Sequence, residues 1–301
     1  VKTNNMLCSL ILWLIVMGNS IAQKQPKSTS PGKKVVFIAG PDSHGKGEHE
    51  YNGGIAFLAQ KLKEGLPEVD TLVFHKSWPT DPNALDGAAT IVLFCDGSEG
   101  HMITPHLKEL ETRMNAGTGL VMIHYTLEMP KGNEADQFRN LIGGYFEMDW
   151  SVNPFWSPEF KTLPKHPITN GVKSFSIRDE WYYHMRFVEN QKNITPILQV
   201  LPPDSTLSRP DGTHSNNPFV REAVLTKKLP QTLAWAFNRP GGGRGFGFSG
   251  GHVHANWRND SFRMLVLNAI AWTANVTVPK EGIQTTTPTV EMLQKLERPA
   301  R

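Results

Sequence analysis

A repeated alternation of short apolar runs with amphipathic segments constrains this chain more than any other feature. Residues 34–40 (KVVFIAG) form a continuous apolar run ending in glycine, the pattern of a parallel strand covered on both faces. Ile55, Leu58, Leu62 and Leu66 then recur at helical spacing, with Pro67 closing the helix. Further strands are expected at residues 71–74, 89–94 and 119–123, and late ones at 232–237 and 245–248. Between them Thr104 is expected to cap a helix carrying Leu107, Leu110 and Met114, and Asp260 to cap a closing helix with Phe262, Leu265, Leu267 and Ile270. Strands alternating with helices of this length predict an α/β fold, a doubly wound, flavodoxin-like parallel sheet.

Between about Trp150 and Leu229 the pattern loosens into prolines and short β-like runs at 181–187 and 194–200. This stretch reads as an irregular β-rich insertion rather than a second domain. The expected organisation is a leader at 1–22, a polar linker at 23–33, one domain at 34–279 and a polar tail at 280–301 with a short helix near 291–296. Lys2, the apolar run 10–17 and the small-x-small Ser20-Ile21-Ala22 support the leader, and hence an exported, periplasmic or extracellular protein. That run is too short to span a bilayer comfortably, so no stable membrane insertion is expected once it is removed.

Loss of the leader takes Cys8 and leaves Cys95 alone, which excludes an internal disulfide. A formal charge of +3 gives no electrostatic case for a nucleic-acid partner. Three Asn-x-Ser/Thr triplets begin at Asn193, Asn259 and Asn275, and such triplets arise readily by chance.

In open α/β sheets ligands bind beyond the carboxyl ends of the strands, so the loops there decide function. After the first strand, residues 40–51 carry His44, Glu48, His49 and Glu50 among glycines, without a GKS/GKT phosphate loop. Asp96, Glu99 and His101 follow the third strand. His124, Tyr125 and Glu128 follow the fourth. His252 and His254 follow the last, and in an extended segment they would share a face. His75, His106, His166 and His214 read as ordinary surface or core histidines.

Two chemistries fit such a set: a divalent metal (zinc or manganese) that activates water, with His44, His49, His124 and His254 as candidate ligands, or metal-free acid–base catalysis by His and Glu. No HExxH helix is present. Residues 179–187 (DEWYYHMRF) bring Asp179, Glu180 and His184 at strand spacing. Trp181, Tyr183 and Met185 would form a buried face, and Asp179 and Glu180 would reach the pocket. Trp150, Trp156, Trp181 and Trp257 are candidate faces for stacking a sugar.

Five motifs in order, SHGKGEHEYNGG (43–54), GLVMIHYTLEMPKG (119–132), IGGYFEMDWSVNP (142–154), DEWYYHMRF (179–187) and GRGFGFSGGHVHANW (243–257), resemble the ThuA-like, or trehalose-utilisation, family of the class I glutamine amidotransferase-like superfamily. The resemblance covers about residues 34–279 and implies a flavodoxin-like sheet. It also implies a nucleophilic cysteine on the turn after residues 119–123, where this chain has His124, and a catalytic histidine near His252 or His254. A functional glutamine amidotransferase is therefore not expected. The family name implies a small carbohydrate partner, a sugar or 3-keto-sugar. The resulting assignment makes His124, Glu128, His252 and His254 catalytic, and His44, His49, Glu50, Tyr125, Asp179, Glu180, His184 and Trp257 substrate-binding. A non-catalytic carbohydrate-binding protein and a metal-dependent hydrolase are the alternatives. The sequence leaves oligomeric state open.

Overall fold

The computed structural model describes residues 32–299; the expected leader and most of the linker lie outside them. The chain runs through β1 (Lys34–Ala39), α1 (Tyr51–Gly65), β2 (Asp70–Phe74), β3 (Ala88–Phe94), α2 (Leu107–Asn115), β4 (Gly119–Ile123) and α3 (Asn133–Ile142). It continues, after the insertion, with β5 (Ile194–Val200), β6 (Gln231–Asn238), β7 (Arg244–Phe248), α4 (Asp260–Thr273) and α5 (Val290–Gln294). These strands form one seven-stranded sheet in the order β5-β6-β7-β4-β3-β1-β2. The five from β2 to β7 run parallel, and β6 and β5 extend the sheet antiparallel.

Both faces of this sheet are covered, which is why β1 reads as unbroken apolar sequence. Val35, Phe37 and Ala39 join Leu58, Val121 and Leu265 in the layer under α1 and α4. Val36 and Ile38 point the other way, into the layer with Leu110, Met122 and Phe138 under α2 and α3. Each such valine, leucine, isoleucine, phenylalanine or methionine contributes roughly 1.5–3 kcal/mol on burial, and the two layers fix where the strand ends lie. Among the described residues, no helix is long and apolar enough to cross a membrane.

Several local expectations need correction. Asn259, not Asp260, caps α4, its side chain accepting from the Phe262 N–H at 3.0 Å, while Asp260 bonds Arg263. Thr104 makes no capping bond; it opens a 3-10 turn ahead of α2. Residues 194–200 belong to the main sheet rather than to the insertion. Residues 181–187 are not one strand: two-residue ribbons form at Asp179–Glu180 and Arg186–Phe187, Tyr183 makes a single bridge to Val152, and the backbone turns at His184, whose φ is 58°. Helix α3 was not expected.

Candidate metal centre

Strands β1, β3, β4 and β7 are neighbours, so the loops leaving their carboxyl ends meet over the centre of the sheet. His124 is the first residue past β4 and His49 the second-last before α1. Both take left-handed backbone conformations, with φ of 53° and 46°. A non-glycine residue there is uncommon and costs strain that the surroundings must hold. Past β7, Gly251 has φ 115°, and a Cβ on it would lie 3.0 Å from Ile123 Cγ2, so only glycine lets this loop close over β4. Asp179 then fixes the loop: its carboxylate accepts from the N–H groups of Gly251 at 2.8 Å and Val253 at 3.2 Å, leaving His252 held between them.

Three imidazole nitrogens and one carboxylate oxygen converge. His49 Nε2 stands 2.9 Å from His252 Nδ1 and 3.2 Å from His124 Nε2, and the last two are 3.3 Å apart. Glu180 Oε2 lies 3.1 Å from His252 Nδ1 and 3.5 Å from His124 Nε2. Ligand atoms about 2.0–2.2 Å from a tetrahedral ion stand roughly 3.3–3.6 Å from one another, and octahedral neighbours somewhat closer. The five measured edges, 2.9–3.5 Å, span that range. The histidines are buried, and the Glu180 side chain is only 13 % exposed.

The outward nitrogen of each ring meets an oxygen. His124 Nδ1 lies 2.8 Å from the Ser249 carbonyl, which can only accept, so the proton sits on Nδ1 and Nε2 presents a lone pair. The Tyr51 hydroxyl donates to Asp96 Oδ1 at 2.6 Å and so accepts from His49 Nδ1, also at 2.6 Å, which leaves His49 Nε2 bare as well. Ser43 Oγ donates to the same Asp96 oxygen at 2.6 Å. His252 Nε2 faces Glu48 Oε1 at 3.7 Å. The lone pairs of His49 Nε2 and His124 Nε2 therefore face one buried interior point, where His252 Nδ1 and the Tyr182 hydroxyl, 3.2 Å from His124 Nε2, are the neighbouring proton donors. Outer oxygens that set tautomer and ring orientation are the usual companions of metal-ligating histidines.

At His49 and Glu180 the electrostatics agree with a cation site, whereas at His252 they favour a proton that a bound cation would displace. Burial, reinforced by His124, His252 and His44, holds the His49 pKa down at about 3 and keeps that ring neutral. Burial alone would raise Glu180, but its bonds to His124 and His252 bring it below the usual carboxylate range. His252 shows the reciprocal effect: burial opposes its charge, yet Glu180, Asp179 and Glu48 raise its pKa overall. Metal ligands must present neutral imidazole and ionised carboxylate.

The other sequence candidates go to different places. His44 is exposed beside the cluster, its ring centroid 3.7 Å from that of His49 and 5.8 Å from that of His252. Tyr125 lies half-buried at the rim, 5.5 Å from His49 between ring centroids. Glu128 does not reach His124; its carboxylate meets His214 Nε2 at 3.0 Å, because the 3-10 turn after β4 carries it past the cluster. His254 opens the 3-10 turn His254–Arg258 and is not among the converging groups; burial lowers its pKa to about 4, against the Leu293 backbone and Asp42, which raise it. Extended geometry, which would have put it beside His252, ends one residue too soon. Glu50 binds the Gly47 and Arg298 N–H groups, at 2.9 and 3.0 Å. His184 stacks on Trp150 and meets its carbonyl at 2.8 Å. Trp156, Trp181 and Trp257 are core residues with no face for a sugar, and Trp150 lies between His184 and Arg186.

Tyr182 belongs to the site and was not anticipated. Its ring stacks on His124 at 4.4 Å, and its hydroxyl donates to His124 Nε2 at 3.2 Å. The signal was present, since Glu180 and Tyr182 are two apart in an extended segment and share a face.

A sequence model of the ThuA family, described as trehalose utilisation, matches residues 35–273. The chain belongs to the ThuA family. Among solved structures, a ThuA-like protein from Bacteroides uniformis is 16 % identical, with a TM-score of 0.57 over 83 % of this chain and 94 % of that one. A second, from Parabacteroides merdae, is also 16 % identical, with a TM-score of 0.52 over 87 % and 99 %. At that identity the likeness to other ThuA-like proteins concerns the fold. No curated protein sequence matches the chain.

Proposed function

We propose that this ThuA-family protein is a metal-dependent enzyme acting on a sugar or 3-keto-sugar, with His49, His124, His252 and Glu180 as the ligands of a divalent transition metal. The observation that carries this reading is the meeting of bare imidazole nitrogens and an ionised carboxylate at coordination distances. A bound cation there would act as a Lewis acid on a substrate carbonyl or hydroxyl oxygen.

The chain's own groups supply the rest. Tyr182, whose buried phenol is held protonated, has a proton to donate to an oxygen placed beside His124. His44, with its pKa lowered mainly by burial and by His252, is neutral near pH 7 and reaches the site from solvent, so it can take a proton from the carbon beside a sugar carbonyl. Phe155, 39 % exposed and set edge-on to His252 at 4.8 Å, offers an apolar surface to a sugar ring. The carbohydrate substrate rests on the family's description as trehalose utilisation. A location outside the cytoplasm rests on the character of residues 2–22.

Metal-free catalysis by His124 with Glu128 is less well supported, because Glu128 is engaged by His214. A thiolate amidase is disfavoured too: Cys95 is buried and its thiol is pushed up to about 12, chiefly by desolvation. The test is product formation from a panel of disaccharides and their 3-keto derivatives, with and without chelator. Turnover lost on chelation and restored by zinc or manganese is the expected result. Turnover indifferent to chelation would overturn the metal reading, and ligand-induced stabilisation without any product would favour a binding protein.

A further inference from the structure

The loop from Ser43 to His49, which carries two of the histidines at the site, is an unusual piece of backbone. His44, Gly47 and His49 all have positive φ, at 65°, 84° and 46°. Turns of this kind rotate carbonyls to one side, and here those of Ser43, His44, Gly45 and Glu48 converge on one point. What they converge on is the guanidinium of Arg298, near the end of the chain. Its Nη2, with two hydrogens to share, lies within hydrogen-bond distance of the carbonyl oxygens of Ser43, His44 (2.8 Å) and Gly45 (2.5 Å), with that of Glu48 at 3.3 Å. Glu50 completes the arrangement. Its buried carboxylate accepts from the N–H of Gly47 inside the loop and of Arg298 in the tail, and lies 3.6 Å from Arg298 Nε. Four carbonyl dipoles facing inward repel one another unless a positive charge sits among them, and a fixed planar cation with several donors suits the task.

Anchors upstream deliver Arg298 to this place without its help. Lys61 donates to the Thr286 carbonyl at 2.9 Å, Asn268 accepts from the Ile283 N–H at 2.9 Å, and Leu293 of α5 is buried. The tail is thus a strap fastened across α1 and α4, with its last described turn lying on the loop.

We infer that Arg298 is a positioning residue for the candidate metal centre: it holds the Ser43–His49 loop in the strained conformation that aims His49 Nε2 at His124 and His252. The effect on metal affinity rests on the reading under Proposed function; the effect on the loop does not. Loss of an outer-shell partner of a metal ligand typically lowers affinity 10–100-fold, and a residue acting one step further out belongs at the low end, about 10-fold.

The experiment uses the full chain, R298A and R298K. Hydrogen exchange of the amides of residues 43–50 is followed without metal, and zinc affinity is measured by titration. For R298A, amide exchange in the loop should accelerate about 10-fold or more, with β4 and α4 unchanged, and zinc should bind about 10-fold more weakly. R298K, which keeps a cation among the carbonyls, should recover part of both. Should R298A not fold, a chain ending at Glu297 and R298K are compared with the full chain in the same way. Loop exchange equal to wild type in R298A overturns the inference. Faster exchange with unchanged zinc affinity overturns the positioning role. If the wild-type chain takes up no zinc, it is the metal reading that fails, and loop exchange alone then decides for or against the hold of Arg298 on the loop.

Discussion

Replacing Tyr51 with phenylalanine tests how the centre is organised beyond its ligands. The Tyr51 hydroxyl bridges His49 Nδ1 and Asp96 Oδ1, at 2.6 Å on each side. Removing it leaves His49 Nδ1 with Ser43 Oγ at 3.1 Å and a carboxylate at 3.6 Å, neither of which fixes the ring as well. The phenyl ring keeps its edge contact with Phe94 at 4.7 Å, so no cavity opens. Asp96 keeps the Ser43 hydroxyl and is partly open to water, which limits the cost to folding. A hydrogen bond to a charged group contributes about 1.5–3 kcal/mol. An outer-shell loss of 10–100-fold in metal affinity corresponds to about 1.4–2.7 kcal/mol, the same range. Zinc titration with a competing chelator should therefore show Tyr51→Phe binding 10–100-fold more weakly, with one site per chain retained. Wild-type affinity in Tyr51→Phe, alongside lost binding in His49→Ala, would refute the claim that the Tyr51–Asp96 pair orients His49.

Three further outcomes are expected. Asp179→Ala strands the N–H groups of Gly251 and Val253, at about 1–3 kcal/mol each, and frees His252; urea unfolding and zinc titration should both register it, and a variant as stable and as tight as wild type would contradict the role given to Asp179. His101 is buried, its Nε2 donating to the Thr126 carbonyl at 3.0 Å and its Nδ1 accepting from the Ile103 N–H at 3.2 Å, and burial lowers its pKa to about 4. Because that lies below the unfolded value of about 6.5, its contribution is complete above pH 6.5 and is lost as pH falls towards 4, about 3 kcal/mol in all; unfolding free energies of His101→Gln should slope less over that window, and an equal slope would refute the assignment. Cys95 should resist a disulfide reagent at pH 8 until the chain is denatured, as read by peptide mass; labelling in the native state would contradict its burial and raised pKa.

Much of the fold could be read from the sequence because it is written locally. A strand covered on both faces has to be apolar along its length, as β1 and β4 are, and the loops at the carboxyl edge follow directly. His49, His124 and His252 could each be named on that basis, and Glu180 from the acidic and aromatic run 179–187 in the insertion. Which of their atoms meet could not, because this depends on turns set by distant partners. His252 enters the cluster, and His254 does not, because Asp179, more than seventy residues earlier, pins the N–H groups on either side of His252 before a 3-10 turn begins at His254. Glu128 meets His214, a residue with no local sign of a role, more than eighty residues further along the chain. The tryptophans misled for a simpler reason: an aromatic residue looks the same in sequence whether it fills the core, as Trp181 and Trp257 do, or lines a site.

The central claim is most directly tested by elemental analysis of protein purified without chelator, beside a variant in which His49, His124 and His252 are all alanine. The account predicts about one equivalent of zinc, manganese or a similar divalent metal per wild-type chain and close to none in the variant. A wild-type chain that carries no metal and takes up none on incubation with zinc or manganese would contradict it.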